Sequence, residues 1–130
     1  LCTEVFEHIP NPFLALKEMF RILKPNGKIL LTTPFISFTH FAPYHYITGY
    51  NKYFFEFHQD KFNYNLIETY QSGDYTSVIK QEVDRVLNHN RLRILNPIVR
   101  FLFKIVLRQV SKTKLNNIGC FQYFYVLQKR

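Results

Sequence analysis

The sequence predicts an α/β fold, and three observations carry the prediction. An amphipathic run (Leu16, Met19, Phe20, Leu23) is followed by a tight turn and an unbroken apolar segment, Ile29-Leu30-Leu31, which together read as the second half of a β-α-β unit. Two later stretches, "FNYNLIETY" (62–70) and "CFQYFYVLQKR" (120–130), have the composition of strands. Helical periodicity returns between them. The 130 residues suffice for one small domain, and 47% hydrophobic residues with 14 Phe and 9 Tyr exclude a disordered chain.

The first element to justify is the helix. Asn11 is a good N-cap and Pro12 suits the first helical position. Leu16, Met19, Phe20 and Leu23 recur at the spacing of one buried face. Pro25 cannot continue the helix, and Asn26-Gly27 supplies turn chemistry. "KILLTTP" (28–34) then reads as a strand buried on both faces, as in a parallel sheet, with an earlier strand ending near Leu1-Cys2. Residues 35–48 have no clean period and read as an aromatic loop, and 50–57 as a short helix. The strand at 62–70 is punctuated by "QSGD". Thr76 to Asn90 predicts a helix with Ile79, Val83, Val86 and Leu87 on one face. Asn96-Pro97 starts another that ends near Val110. On it Arg100, Lys104 and Arg108 recur every four residues, with Lys112 beyond, and apolar residues cover the rest. Those charges argue against a membrane span.

Charge and cysteine content narrow the class. A formal net charge of +8, concentrated after Lys80, favours anionic partners. Cys2 and Cys120 stand far apart, which gives no disulfide framework and no cysteine zinc site and suits a reducing cytoplasm. Residue 1 is Leu, and no charged segment followed by an apolar one opens the chain. A truncated start is therefore expected, and a signal peptide is not.

Taken together, "CTEVFEHIPNPFLALKEMFRILKPNGKILLTTPF" resembles a class I S-adenosylmethionine-dependent methyltransferase. The residues that carry the likeness are Glu7-His8-Ile9, then Arg21, Leu23, Lys24, Pro25 and Gly27, then Thr33-Pro34. "APYHYITGY" (42–50) is similar to a segment common after the family's fifth strand. The resemblance implies a partial Rossmann-like methyltransferase sheet, strands four to seven, with a helical insertion at about 75–112 before the last, antiparallel strand. It implies S-adenosylmethionine as cofactor, beside the loop Cys2, Thr3, Glu4. The family's glycine-rich cofactor loop has no counterpart: the four glycines form no G-x-G. A fragment that is inactive on its own is the expectation, from a parent that methylates a small or lipid-linked acceptor.

The polar residues suggest where chemistry occurs. His40, Tyr44, His45 and Tyr46 sit in the loop after a predicted strand, where open α/β sheets bind ligands, and are candidates for acceptor binding. Methyl transfer needs positioning and, for hydroxyl or amine acceptors, proton removal, so His8, His40 and His45 are the candidate catalytic residues. Glu4, Glu7 and His8 would share a face if helical, and could hold a divalent ion. Some relatives with a similar E-x-x-E-H pattern do hold one, with further histidines from the loop after strand five; His40 or His45 would be those here. The favoured reading is that Glu7 and His8 orient the loop by hydrogen bonds, and no metal is expected. The helix at 97–110 leaves three readings open: a lid, a dimer interface, or a peripheral membrane contact. Nucleic acid is not the expected partner. The alternative to an enzyme is a non-catalytic basic and aromatic module that binds a membrane surface, nucleic acid or a protein.

Overall fold

The computed structural model describes residues 1–89, 93–110 and 119–130, which fall into two compact units. One comprises Leu1–Ser72 with Gln122–Arg130, the other Gly73–Phe121. Lys112, at the end of the expected basic stripe, and Asn90, at the end of the expected helix, lie outside the described residues.

The first unit is a mixed sheet with helices. Strand β1 (Cys2–Thr3) pairs parallel with β2 (Lys28–Pro34), through Cys2↔Leu31 and Thr3↔Thr32. Helix α1 (Pro12–Ile22) connects them, and the Asn11 side chain accepts from the Leu14 amide at 3.0 Å, as a cap does. The turn that follows has Asn26 at φ 60°, a left-handed conformation that Asn tolerates, and the Gly27 amide closes it onto the Lys24 carbonyl at 2.9 Å. Helices α2 (Lys52–Phe57) and α3 (Gln59–Phe62) precede β3 (Tyr64–Ser72). The expected helix at 50–57 starts two residues later because Asn51 caps it. The expected strand at 62–70 is shifted by two residues because Phe62 ends α3 and Asn63, at φ 55°, turns the chain out of it.

Strand β4 (Gln122–Lys129) runs antiparallel between β2 and β3, so the order among the described strands is β1-β2-β4-β3. The last strand in sequence thus occupies an interior position. A register shift between Leu66 and Glu68 marks a bulge in β3 against β4. The expectation that β2 is buried on both faces is corrected. Ile29 and Leu31 to Pro34 are buried, but Leu30 is 51% exposed and Lys28 is exposed. The Leu30 side of the strand is only partly covered, so the unbroken apolar run does not mark a strand enclosed along its whole length.

Phe6, Leu16, Leu31, Phe55, Tyr64, Tyr125 and Leu127 form the centre of the core. Phe20 stacks flat on Tyr64, with centroids 4.8 Å apart and planes at 8°. The two buried phenols find acceptors: Tyr64 donates to the Phe55 carbonyl at 2.5 Å and Tyr50 to the Phe6 carbonyl at 3.4 Å. Burial pushes both phenols well up, and Glu7 adds to the effect at Tyr50.

In the second unit, α4 (Tyr75–His89) opens at Asp74, whose carboxylate accepts from the Ser77 amide at 2.7 Å. Helix α5 (Asn96–Val110) is tied to it by buried Asn96, which donates to the Leu87 carbonyl at 2.7 Å. Arg100 binds Asp84 at 3.0 Å and Asn88 at 2.8 Å. Phe103, Lys104, Leu107 and Arg108 line, with Val83 and Asp84, a hollow of about 450 Å³ between the helices. The stripe that begins at Arg100 is thus turned toward α4, while Ile98, Phe101, Leu102, Ile105 and Val106 are exposed. Among the described residues, no helix is long and apolar enough to cross a membrane.

Candidate active site at the carboxyl ends of β1 and β2

Parallel strands place their carboxyl ends on the same side, and the segments that leave β1 and β2 meet there. After β1 the chain makes a single 3-10 turn, Phe6–His8, rather than a longer helix. After β2 it enters the loop 35–49, closed at its base by Ser37 donating to the Thr48 carbonyl at 2.5 Å and Tyr50 to the Pro34 carbonyl at 2.8 Å. The amides of Tyr46 and Ile47 donate to the Glu7 carbonyl at 3.0 and 3.2 Å, which ties the loop to the turn. Gly49, at φ 155°, allows the close return: a Cβ there would lie 2.2 Å from the Phe35 carbonyl oxygen.

This arrangement brings three imidazoles and a carboxylate together. His8 and His40 approach through their Nε2 atoms at 3.1 Å. The His45 ring lies 4.8 Å from His40 and 5.7 Å from His8, centroid to centroid. Glu7, 1% exposed, has Oε1 3.8 Å from His8 Nε2. Its Oε2 and the Nε2 of His45 are buried without a hydrogen-bond partner. Glu7, His8 and His40 each offer a ligand atom within 4.8 Å of the others.

Other expected residues are placed differently. Glu4 does not share a face with Glu7 and His8, because it precedes the 3-10 turn at φ 50°. Its carboxylate instead accepts from the Thr32 hydroxyl at 2.7 Å, and its amide donates to the Thr32 carbonyl at 3.2 Å. Burial pushes the Glu4 carboxyl up, partly offset by the Thr32 hydrogen bond. Cys2 lies in β1, its thiol pushed up by burial, and Thr3 is exposed at the strand's end. Tyr44 and Tyr46 are exposed; the Tyr44 carbonyl, not its ring, engages the cluster by accepting from His8 Nδ1. Sequence reasoning passed over Ser37 and Phe38, which hold His40: its Nδ1 lies 2.9 Å from the Phe38 carbonyl and 3.1 Å from the Ser37 hydroxyl. Only their position just before His40 could have signalled this.

A family model described as a methyltransferase domain matches residues 1–91, more than half of the chain. The chain belongs to this family, the class I S-adenosylmethionine-dependent methyltransferases. No curated protein matches the chain. At the end of β1 and just beyond it, Thr3, Glu4 and Val5 are exposed.

Proposed function

We propose that this domain forms the acceptor side of an S-adenosylmethionine-dependent methyltransferase acting on a small or lipid-linked molecule. The observation that carries the reading is the convergence of Glu7, His8, His40 and His45 at the carboxyl ends of two parallel strands. In this reading β1, β2, β3 and β4 are the family's fourth, fifth, sixth and seventh strands, and the second unit is an insertion before the last. Cys2, Thr3 and Glu4 would hold the cofactor, which when bound supplies an electrophilic methyl group on a sulfonium. The loop with His40, Tyr44, His45 and Tyr46 orients the acceptor so that its oxygen, nitrogen or carbon attacks in line. An imidazole takes the proton that a hydroxyl or amine acceptor gives up, and His45, with an unengaged Nε2, has the nitrogen at hand. These residues contain no G-x-G, so we expect them to need a glycine-rich cofactor loop and to bind S-adenosylmethionine weakly without one. The reading belongs in the cytoplasm.

The test offers methyl-labelled S-adenosylmethionine to a protein that carries this domain with such a loop, together with lipid and small-molecule extracts. Label in either extract supports the reading. Label in nucleic acid alone, or nowhere, overturns it. A peripheral membrane contact through 97–110 is supported by a specific observation, the exposed apolar row Ile98, Phe101, Leu102, Ile105 and Val106. Co-sedimentation with lipid vesicles that is lost in Phe101→Glu supports that contact; no recovery, or recovery unchanged in Phe101→Glu, contradicts it.

A further inference from the structure

We propose that the hollow between α4 and α5 binds one anionic amphiphile, a molecule with a phosphate head and an apolar body. Every residue that lines the hollow belongs to the second unit, so the inference stands whether or not the first unit transfers methyl groups.

The helix pair sets its charges out in rows. Asn96 donates to the Leu87 carbonyl and Arg100 binds Asp84, so residue numbers rise along α5 as they fall along α4. One helical turn on from Asp84 and Arg100, the two helices bring Lys80 and Lys104 to the hollow, and one further turn brings Thr76 and Arg108. The first row is neutral, because Asp84 pairs with Arg100 at 3.0 Å. The second has a cation from each helix, and the third adds a guanidinium. Along α5 the cations stand four residues apart, where like charges repel, and the helix contains no acid to separate them. Residues 73–121 carry three acids, and each is engaged: Asp74 caps α4 through Thr76 and Ser77, Glu82 pairs with Arg85, and Asp84 pairs with Arg100. Among the described residues neither Lys80 nor Lys104 has an ion pair. Charges gathered in this way are stabilised by an anion from outside the chain.

The floor of the hollow says what that anion is attached to. Val83, Phe103 and Leu107 line it and are half-buried, whereas Lys80, Lys104 and Arg108 are exposed. Apolar groups thus lie beneath a cationic mouth. Inorganic phosphate would meet the cations and leave the floor wet. An uncharged lipid would cover the floor and leave the cations without a counter-charge. An apolar body joined to a phosphate does both. Phosphate suits the site better than a carboxylate, because a monoester carries a charge of about −1.5 to −2 at pH 7 and three acceptor oxygens. The hollow measures about 450 Å³, which falls in the range of about 300–1,000 Å³ usual for small-molecule sites. It is distinct from the exposed row Ile98, Phe101, Leu102, Ile105 and Val106, none of which lines it. A bilayer would meet that row, whereas the hollow takes a single molecule.

The test titrates the full chain with dodecyl phosphate, kept below the concentration at which it forms micelles, and follows binding by calorimetry. Inorganic phosphate supplies the head alone, and dodecyl maltoside supplies the same tail on an uncharged head. The expected result is one dodecyl phosphate per chain, bound about tenfold or more tightly than either of the others. The double variant Lys80→Gln, Lys104→Gln should weaken binding by about tenfold or more. Lys17→Gln, on exposed α1, and Phe101→Ser, on the exposed row, should leave it unchanged. Circular dichroism checks that the variants fold, and Lys104→Gln alone decides should the double variant fail to. No saturable binding by the unsubstituted protein, equal affinity for inorganic phosphate or dodecyl maltoside, or equal affinity in a folded lysine variant would overturn the site. A loss in Phe101→Ser and not in the lysine variants would overturn it too, and assign the binding to the exposed row.

Discussion

Helices α1 and α5 have the same kind of sequence and opposite surroundings. Each carries an apolar row at helical spacing. In α1 that row, Leu16 and Phe20, is buried against Tyr64 and the sheet. In α5 the row Ile98, Phe101, Leu102, Ile105 and Val106 is exposed, with Phe101 at 64%. The difference teaches that periodicity identifies a helix with an apolar face, and says nothing of what covers the face. Coverage of α1 comes from strands paired across the whole first unit, through non-local register. The second unit contributes one helix pair, and the side of α5 that meets α4 carries Arg100 and lies beside Asp84.

The largest effect should separate these two rows. Phe20→Ala removes a fully packed ring and should cost about 3–5 kcal/mol. Phe101→Ala removes an exposed one and should change stability by less than about 0.5 kcal/mol. Chemical denaturation of both variants checks the contrast, and similar losses would mean that the α5 row is covered in solution. A smaller loss is expected at the loop that closes the candidate site. Gly49→Ala forces an L side chain into a conformation that essentially only glycine adopts, worth about 1–3 kcal/mol, with a clash against the Phe35 carbonyl in addition. A thermal melt should show the drop; an unchanged midpoint would mean that the loop base is not held as described.

How much of this was legible depended on the range of the interaction concerned. The Asn11 cap, the Asn26-Gly27 turn and the extent of α1 rest on neighbours in sequence and could be read directly. The sheet order could not, because β4 inserts between β2 and β3 through pairings such as Leu31↔Tyr125. At the site, the sequence named Glu7, His8, His40 and His45 as candidates. A face shared by Glu4 with Glu7 and His8 was conditional on a helix, and the chain instead makes one 3-10 turn that begins after Glu4. The approach of His8 to His40 depends on contacts with the Tyr44 and Phe38 carbonyls, and no residue type reports where a carbonyl points.

The smallest effects are those of pH, and the two units should differ in sign. Hydrogen bonds from the Ser77 hydroxyl, the Thr76 hydroxyl and the Ser77 amide hold the Asp74 carboxyl below its ordinary 3.8. A depressed value means that the unfolded chain binds more protons in that window. The Asp74 contribution is present above 3.8 and is lost as the pH falls through the lower folded value. Glu4 is the reverse, its carboxyl raised above its ordinary 4.5, chiefly by burial. Its contribution favours folding below 4.5 and is lost as the pH rises through the higher folded value. Asp74→Asn should therefore be less stable than the unsubstituted protein at pH 7, with the gap closing in acid. Glu4→Gln should be at least as stable at pH 7, with its advantage closing in acid. Stability measured from pH 3 to pH 7 decides, and a shared sign would refute one of the two assignments.

The central claim is that chemistry sits at the carboxyl ends of β1 and β2, in the first unit. Its most direct test is the turnover number for methyl transfer in a protein carrying this domain with a glycine-rich cofactor loop, comparing His45→Gln with Phe101→Ala. The account predicts that His45→Gln lowers turnover by about 10²–10⁴ while cofactor affinity is kept, and that Phe101→Ala leaves turnover on a soluble acceptor unchanged. Equal turnover in His45→Gln and the unsubstituted protein would contradict it.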